Sequence, residues 1–369
     1  MADLHVAIGV LCGTVGGPAS YGKRLVLALA ERDDVRVTVL TDDANAFAPS
    51  RAVEVVALPM RGGLDRLRWQ YLALGRALRT VAPDVYHDTK NALPFGLRVP
   101  AAVTVHDLAY HTVPDSFGFA SRTFLKWATR HAVTNARAIV VPSHATARDV
   151  ARFHPAHAHK VRVVPHGIDP APTIAPPALA EVRARLRLPE RFVLHVGTVQ
   201  ARKNVDLVVD GVQALRARGF PHRCVLVGRR GWRAERALAA IAADPTVCWH
   251  EHLPAADLAA VYALADAFVS PSAYEGFGLA VADALAAGVP TITSDVSSLP
   301  ELGGDAVVRL QELTARAVTD ELARVLGDPT VVTRLRAAGR QRAAAFSWQQ
   351  AAAGHVQVWR ACRSGPSPL

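Results

Sequence analysis

Val269-Ser-Pro-Ser-Ala-Tyr-Glu275-Gly-Phe-Gly-Leu-Ala-Val-Ala-Asp283-Ala-Leu-Ala-Ala-Gly-Val-Pro290 divides into an apolar run, a polar loop, an alanine-rich segment and a stop. Ala267, Phe268 and Val269 end at Pro271, Glu275 stands among small residues, and the alanines run to Gly288 just before Pro290. That order predicts strand, loop, helix and termination, because Pro interrupts a strand ladder and Gly followed by Pro closes a helix. The loop then lies at the carboxyl end of a strand, the edge at which open α/β sheets bind ligands. The first helical turn there offers free N–H groups to phosphate or sugar oxygens. Asp283 follows Glu275 by eight residues. If the residues between them are mostly helical, the two carboxylates lie about two turns apart on one side of the helix. A helix N-terminus whose acidic residues serve as caps would use the same letters.

Outward from this stretch the same alternation repeats. Strands are expected at His5 to Leu11, Val35 to Leu40, Val53 to Leu58, around Asp84 to Asp88 and at Ala101 to Val105, with a helix around Leu64 to Val81. Arg137 to Asp149 reads as strand, turn and capped helix, and Lys160 to Asp169 as the last strand of a first series. Pro170, Pro172, Pro176 and Pro177 then mark an exposed linker over 170–189. The pattern restarts with strands at Phe192 to Gly197, Cys224 to Gly228 and Val247 to His250, and helices at Val205 to Arg216 and Leu258 to Ala265. Two β/α series separated by a proline-rich hinge predict an α/β protein with two Rossmann-like, doubly wound domains, 1–169 and 190–345, facing each other across a cleft.

The composition suits an enzyme with sizeable cores, 50% of the residues being hydrophobic and 20% charged. No run of about eighteen apolar residues occurs, and the first ten residues are too short and mixed for a secretion signal, which points to the cytoplasm. Cys12, Cys224, Cys248 and Cys362 have neither paired metal spacing nor the look of a disulfide framework. The net charge of +10 comes from scattered Arg, with Lys only at 23, 90, 126, 160 and 203. This balance suits anionic small molecules and the inner face of an anionic membrane, and without a basic tail it does not point to nucleic acid. Gly17, Gly22 and Lys23 stand at the spacing of a nucleotide phosphate loop, but Arg24 occupies the place where such a loop needs Ser or Thr for Mg²⁺.

The Glu275 to Asp283 stretch resembles the acidic signature of the retaining, nucleotide-sugar-dependent glycosyltransferases of family 4, which have the two-domain GT-B fold. The resemblance runs over nearly the whole chain and is strongest from 190 to 305. Thr198-Val-Gln-Ala-Arg202-Lys203-Asn matches that family's diphosphate-holding pair, Gly16 and Gly17 its glycine turn, and His106-Asp107 the histidine over the transferred sugar. Ser297, Ser298 and Glu301 stand in the segment after the acidic motif, and Phe346-Ser-Trp resembles the start of a closing helix, 346–369, that crosses back to the first domain. Two departures stand out: the second acidic position holds Asp283 rather than Glu, and Ala280 replaces the usual Pro.

The resemblance implies a metal-independent hexosyl transfer from a UDP- or GDP-sugar to a hydroxyl acceptor, with the nucleotide sugar as substrate and no cofactor. It implies catalytic parts for His106, Glu275, Arg202 and Lys203, and a donor site including Gly16, Gly17, Gly197, Gly276, Phe277, Gly278, Leu279 and Asp283. Glu275 would meet the sugar hydroxyls, Asp283 the ribose, His106 the C6 region of the sugar, and Arg202 with Lys203 the diphosphate. The chain contains no Asp-x-Asp spacing of the kind that holds a cation in single-domain glycosyltransferases. His87, Asp88, Thr89, Lys90 and Asn91 read as a polar loop that, with Asp107, suits a polyhydroxylated or amino-sugar acceptor. Two other functions use the same frame: a non-hydrolysing UDP-sugar epimerase and an inactive sugar-nucleotide-binding subunit.

Overall fold

The computed structural model describes residues 4–12, 17–47, 50, 52–58, 60 and 63–364. The continuous apolar runs become parallel strands covered on both faces, as all-parallel sheets require. In the first series these are β1 (His5–Val10), β2 (Arg36–Thr41), β3 (Val53–Ala57), β4 (Val85–Asp88), β5 (Ala101–Thr104), β6 (Ala138–Val141) and β7 (Val161–Val163). They form one sheet in the order β3-β2-β1-β4-β5-β6-β7, with Val6 level with Val37 on one side and with Val85 on the other.

The second series gives β8 (Phe192–Val196), β9 (Arg223–Val227), β10 (Cys248–His250), β11 (Ala267–Ser270), β12 (Thr291–Ser294) and β13 (Val307–Leu310), in the order β10-β9-β8-β11-β12-β13. Its strand order reverses between β8 and β11. The connections leaving those two strands run to opposite sides and open a crevice at their carboxyl ends.

Contacts divide the chain into two units. One holds Met1–His111, Phe119–Gly167 and Phe346–Leu369; the other holds Thr112–Gly118 and Ile168–Ala345. The segment 112–118 groups with the second unit because the Trp232 indole donates to the Ser116 carbonyl at 2.7 Å and its ring lies 6.1 Å from that of Phe117. The stretch 170–189 holds a helix, Pro176–Arg185, none of whose residues is buried. Both prolines sit in the first turn, where a missing N–H costs nothing. Arg185 binds Asp257 through two hydrogen bonds of 2.7 and 3.0 Å, which docks this helix on Ala255–Leu264. The helix read at Leu64 to Val81 contains a π turn, Trp69–Ala73, that buries Trp69, Gln70 and Tyr71 in succession. A regular α-helix would carry one of three neighbours outward.

The expected loop at His87 is corrected. His87 and Asp88 complete strand β4, and the His87 side chain is fully buried. It belongs to a hydrogen-bond chain whose direction is set by its ends. The Trp359 indole can only donate, and it reaches His87 Nδ1 at 3.1 Å. His87 Nε2 must then carry the proton given to Thr104 Oγ1 at 2.9 Å. At the far end the Ala351 carbonyl can only accept, from His355 Nδ1 at 2.7 Å, so His355 Nε2 accepts from the Tyr21 hydroxyl at 2.6 Å. Thr104 closes the chain by donating to Tyr21 at 3.1 Å. Helices Gly17–Ala30 and Trp348–Ser364 are thereby tied to β4 and β5.

Burial holds His87, His106, His166 and His355 below their ordinary pKa, His355 at about 4. Each is neutral in the folded unit and takes up a proton on unfolding below pH 6.5, so stability falls with acidification at about 1.4 kcal/mol per pH unit per proton. Burial raises Asp88 to about 7, which works in the opposite sense and offsets about one of these protons. Urea unfolding between pH 7 and 5 is expected to reveal a net uptake of about two protons or more. A stability independent of pH over that range would contradict the assignment.

Candidate functional site

Strand β8 ends at Val196, just before Gly197, and the chain then makes a 3-10 turn, Ala201–Lys203, before the helix Val205–Ala217. Asn204 joins turn to helix in the left-handed region, φ 48°, a conformation Asn tolerates better than most residues. Its side-chain amide donates to the Pro271 carbonyl at 2.8 Å, fastening the turn to the loop after β11. The Ala273 amide donates to the Arg202 carbonyl at 2.7 Å, and Arg202 Nη1 donates to the Tyr274 carbonyl at 2.7 Å. Asn204 was not singled out from sequence. An Asn directly before a helix is the one signal that could have found it.

These ties bring Glu275, Arg202 and Lys203 together. Lys203 Nζ lies 2.5 Å from Glu275 Oε1 and Arg202 Nη1 lies 3.2 Å from Oε2, with all three side chains largely buried. The Glu275 backbone is pinned as well: its amide donates to Ser297 Oγ at 2.8 Å, and its carbonyl accepts from Ser298 Oγ at 3.0 Å. Burial pushes the Glu275 carboxyl up, but Lys203, Arg202 and a bond from Ser272 outweigh it and hold the group at about 2. Glu275 is thus ionised at neutral pH. Its contribution to stability is present above 4.5 and is lost only as pH falls through about 2. The cluster carries two cations against one carboxylate and retains a net positive charge.

Gly278, at φ 97°, turns the chain into the helix Leu279–Ala287, and a side chain there would run into Leu299. The helix therefore begins four residues after Glu275. Between the two acids Leu279 to Ala282 are helical but Gly276, Phe277 and Gly278 are loop, so Glu275 lies outside the helix and the two-turn spacing along one helix face does not hold. Phe277 is buried, Leu279 is the first helical residue, and Asp283 is half-buried on that helix. The nearby Tyr262 phenol donates to the Ala280 carbonyl at 3.1 Å, and Asp283 adds to burial in raising its pKa. Gly197 sits at φ 153°, and Gly228 at the end of β9 packs against its carbonyl so closely that no side chain fits.

The remaining candidates belong to the first unit. His106, at the end of β5, has Nε2 2.8 Å from the Thr89 carbonyl and Nδ1 3.3 Å from His166 Nε2. The carbonyl accepts only, so Nε2 carries a proton; burial lowers the pKa of the ring and favours its neutral form, and both nitrogens are engaged. Asp107 caps the short helix Ala109–Thr112 by accepting from the Ala109 amide at 3.0 Å. The Lys90 amide donates to Asp88 Oδ1 at 2.8 Å, and Asn91 donates to Thr129. Gly17 opens the helix Gly17–Ala30, and Gly16 lies outside the described residues. Gly22 and Lys23 fall inside that helix, with Gly22 against Val10, so they form no phosphate loop.

This arrangement has known counterparts. The profile of the family described as "Glycosyl transferases group 1" matches residues 181–342, and that of "Glycosyltransferase Family 4" matches residues 15–172. The chain belongs to the group 1 glycosyltransferases of family 4. This glycosyltransferase is 26% identical to O-antigen chain mannosyltransferase B of Escherichia coli over 77% of its own length and 76% of that protein. It is 32% identical to D-inositol 3-phosphate glycosyltransferase of Xylanimonas cellulosilytica, over 60% of this chain and 56% of that protein. Two solved structures resemble it along nearly the whole chain. Sucrose-phosphate synthase of Thermosynechococcus elongatus has a TM-score of 0.76 at 22% identity, covering 97% of this chain and 99% of that one. Anabaena HepE in complex with UDP and glucose has a TM-score of 0.76 at 17% identity, covering 97% and 100%. At such identities the likeness speaks for the fold, which is GT-B.

Proposed function

We propose that this glycosyltransferase moves a hexosyl unit, with retention, from a UDP- or GDP-sugar to a hydroxyl acceptor. The observation that carries this reading is the buried cluster of Arg202, Lys203 and Glu275 at the strand-order reversal of the second unit. Arg202 and Lys203 meet the diphosphate, whose negative charge grows as it leaves, and their fixed positive charge favours departure without a metal. Both Glu275 oxygens are engaged by cations, which makes that carboxylate a poor nucleophile and suits it to orienting sugar hydroxyls. Retention then follows from attack on the face the leaving group vacates. The bond from the anomeric carbon to the diphosphate oxygen breaks, the bond to the acceptor oxygen forms on the same face, and the acceptor proton passes to the diphosphate. Asp283 holds the ribose, Gly197 and Gly276 to Leu279 line the donor, and Gly16 and Gly17 belong to the phosphate turn. His106 contributes contact to the sugar rather than proton transfer, since its nitrogens are committed. On the acceptor side the candidates are Lys90, Asn91 and Asp107; His87 drops out because it is buried in the core.

Two relatives support transfer over epimerisation by what they are named for: the E. coli protein is a mannosyltransferase and the X. cellulosilytica protein a glycosyltransferase. The test is turnover of UDP- and GDP-hexoses in EDTA with the anomeric configuration of the product read by NMR. Full activity and retained configuration are expected. Inversion, or rescue by Mg²⁺ or Mn²⁺, would overturn the corresponding claim, and donor consumption without acceptor would favour the epimerase. Asp283→Ala should raise KM for the donor by about ten- to a hundredfold with kcat largely kept, the loss of one charged hydrogen bond remote from the reacting carbon. Glu275→Ala should lower kcat by about a hundredfold or more. Donor binding that survives in both variants without turnover on any acceptor would favour an inactive subunit.

A second surface supports peripheral contact of the first unit with an anionic membrane, the expected location being its cytoplasmic face. Among the described residues no helix is long and apolar enough to cross a membrane. Phe95, Phe124 and Trp127 are exposed by 48%, 39% and 45%, and their rings lie within 6.2 Å of one another in turn, with Tyr71 beneath. Arg68, Arg76, Arg79, Arg122, Lys126 and Arg130 accompany them, and no Asp or Glu occurs from 66 to 83 or from 116 to 148. Aromatic rings that enter the headgroup layer beside basic residues bind anionic lipid. Sedimentation with phosphatidylglycerol vesicles should retain the protein and phosphatidylcholine vesicles should not, with binding lost in Trp127→Ser. Equal behaviour toward both lipids would contradict this.

A further inference from the structure

His195 lies on β8, two residues before the glycine that follows the strand, and is 1% exposed. Its Nδ1 is 2.8 Å from the carbonyl oxygen of Val269 on β11. A carbonyl only accepts, so Nδ1 carries the proton and Nε2 presents a lone pair. That Nε2 is buried and makes no hydrogen bond. A buried polar atom left in this state carries a cost that core positions rarely bear. Gly197 separates Nε2 from the Lys203 side chain. A methyl group built on Gly197 would lie 3.6 Å from His195 Nε2, 3.6 Å from Lys203 Cε and 3.7 Å from Lys203 Nζ. Nε2 and the ammonium therefore border the same small space, which is free of a side chain because residue 197 is glycine. The ring lies parallel to Phe268, with centroids 6.5 Å apart. Burial keeps the ring neutral, at about 4; after burial, the largest influences on it are the Val269 carbonyl, Lys203 and Glu275.

We propose that His195 is a positioning residue for Lys203, its Nε2 serving as a second acceptor for the ammonium across Gly197. This rests on the reading of the Arg202–Lys203–Glu275 cluster as the donor site. An ammonium has three donors, and Glu275 takes one of them at 2.5 Å. When the carboxylate turns toward sugar hydroxyls and the ammonium toward the diphosphate, Nε2 gives Lys203 a fixed uncharged anchor. A second carboxylate in this place would cancel the positive charge the diphosphate requires. A neutral imidazole does not, and because Val269 fixes its tautomer no proton has to move.

Two variants separate the ring's edges. His195→Asn retains an N–H in the place of Nδ1, facing Val269, and lacks an acceptor in the place of Nε2. His195→Gln puts its amide oxygen where Nε2 stood. The measurement is calorimetric affinity of the full chain for UDP and for GDP. The expected result is about a tenfold loss in Asn, the size of one charge-assisted hydrogen bond, with Gln within about threefold of the native chain. On a Lys203→Ala background the Asn change should have no further effect, an outcome that a general loosening of β8 would not give. His195→Leu replaces Asn if that variant fails to fold. Native-like affinity in Asn while Lys203→Ala is weakened overturns this inference and leaves the donor site standing. An equal loss with and without Lys203 overturns it too. Native-like affinity in Lys203→Ala itself means that the donor-site reading has failed first.

Discussion

A carboxylate buried to the extent of Glu275 survives ionised only if opposite charge meets it at once, because desolvation of an unpaired ion costs several kcal/mol. Lys203 at 2.5 Å and Arg202 at 3.2 Å supply that charge, and much of the second unit can be read as the apparatus that delivers them. The strand reversal between β8 and β11 brings the two loops side by side. Asn204 and the Arg202 backbone fasten one loop to the other, while Ser297 and Ser298 hold Glu275 from the next connection. An excess of positive charge, fixed in place and shielded from water, is what a departing diphosphate needs.

The first unit follows a different logic. Its interior carries histidines, a tyrosine and a threonine where a Rossmann-like sheet usually carries aliphatic residues, and these polar groups are satisfied in a single directional chain from Trp359 to the Ala351 carbonyl. The closing helix supplies both ends of that chain. Satisfied networks of this kind specify one packing arrangement, because a shift of one turn would strand a buried donor. His106 sits beside the chain, 5.0 Å from the Tyr21 ring, so the position of a candidate sugar contact depends on a helix far away in sequence.

Strands were the most legible part of the sequence. Continuous apolar runs such as Ala138 to Val141 and Phe192 to Leu194 suit strands covered on both faces, and most strand ends were placed within about a residue or two. The exceptions are Lys160 to Asp169, which is a strand only over Val161–Val163, and the strands Thr291–Ser294 and Val307–Leu310, which were not read from sequence. The glycosyltransferase family and its α/β frame were legible for a related reason, the order of strand, polar loop and helix around Glu275. Helices without clean periodicity were missed: Phe119–Asn135, with aromatic and basic residues spread around it, and Pro176–Arg185, hidden behind its prolines. His87 was misread because polarity looks like a loop when its partner, Trp359, is 272 residues away. His195 offered no signal, since one histidine in an apolar strand gains meaning only from Val269 and Gly197. The cluster itself was readable as three residues of matching chemistry, but not as an ion pair. Nothing in the spacing from 202 to 275 states that the charges touch.

The central claim is that Glu275 is a buried carboxylate kept ionised by two cations. It is tested most directly by following the carbon-13 shifts of the glutamate side-chain carboxyls with pH, the Glu275 resonance being assigned by its loss in Glu275→Gln. From pH 7 down to the lowest pH at which the chain stays folded, that resonance should hold its ionised shift, with a midpoint near 2. A midpoint at or above the ordinary 4.5 would mean that Lys203 and Arg202 do not hold the charge, and would contradict the account.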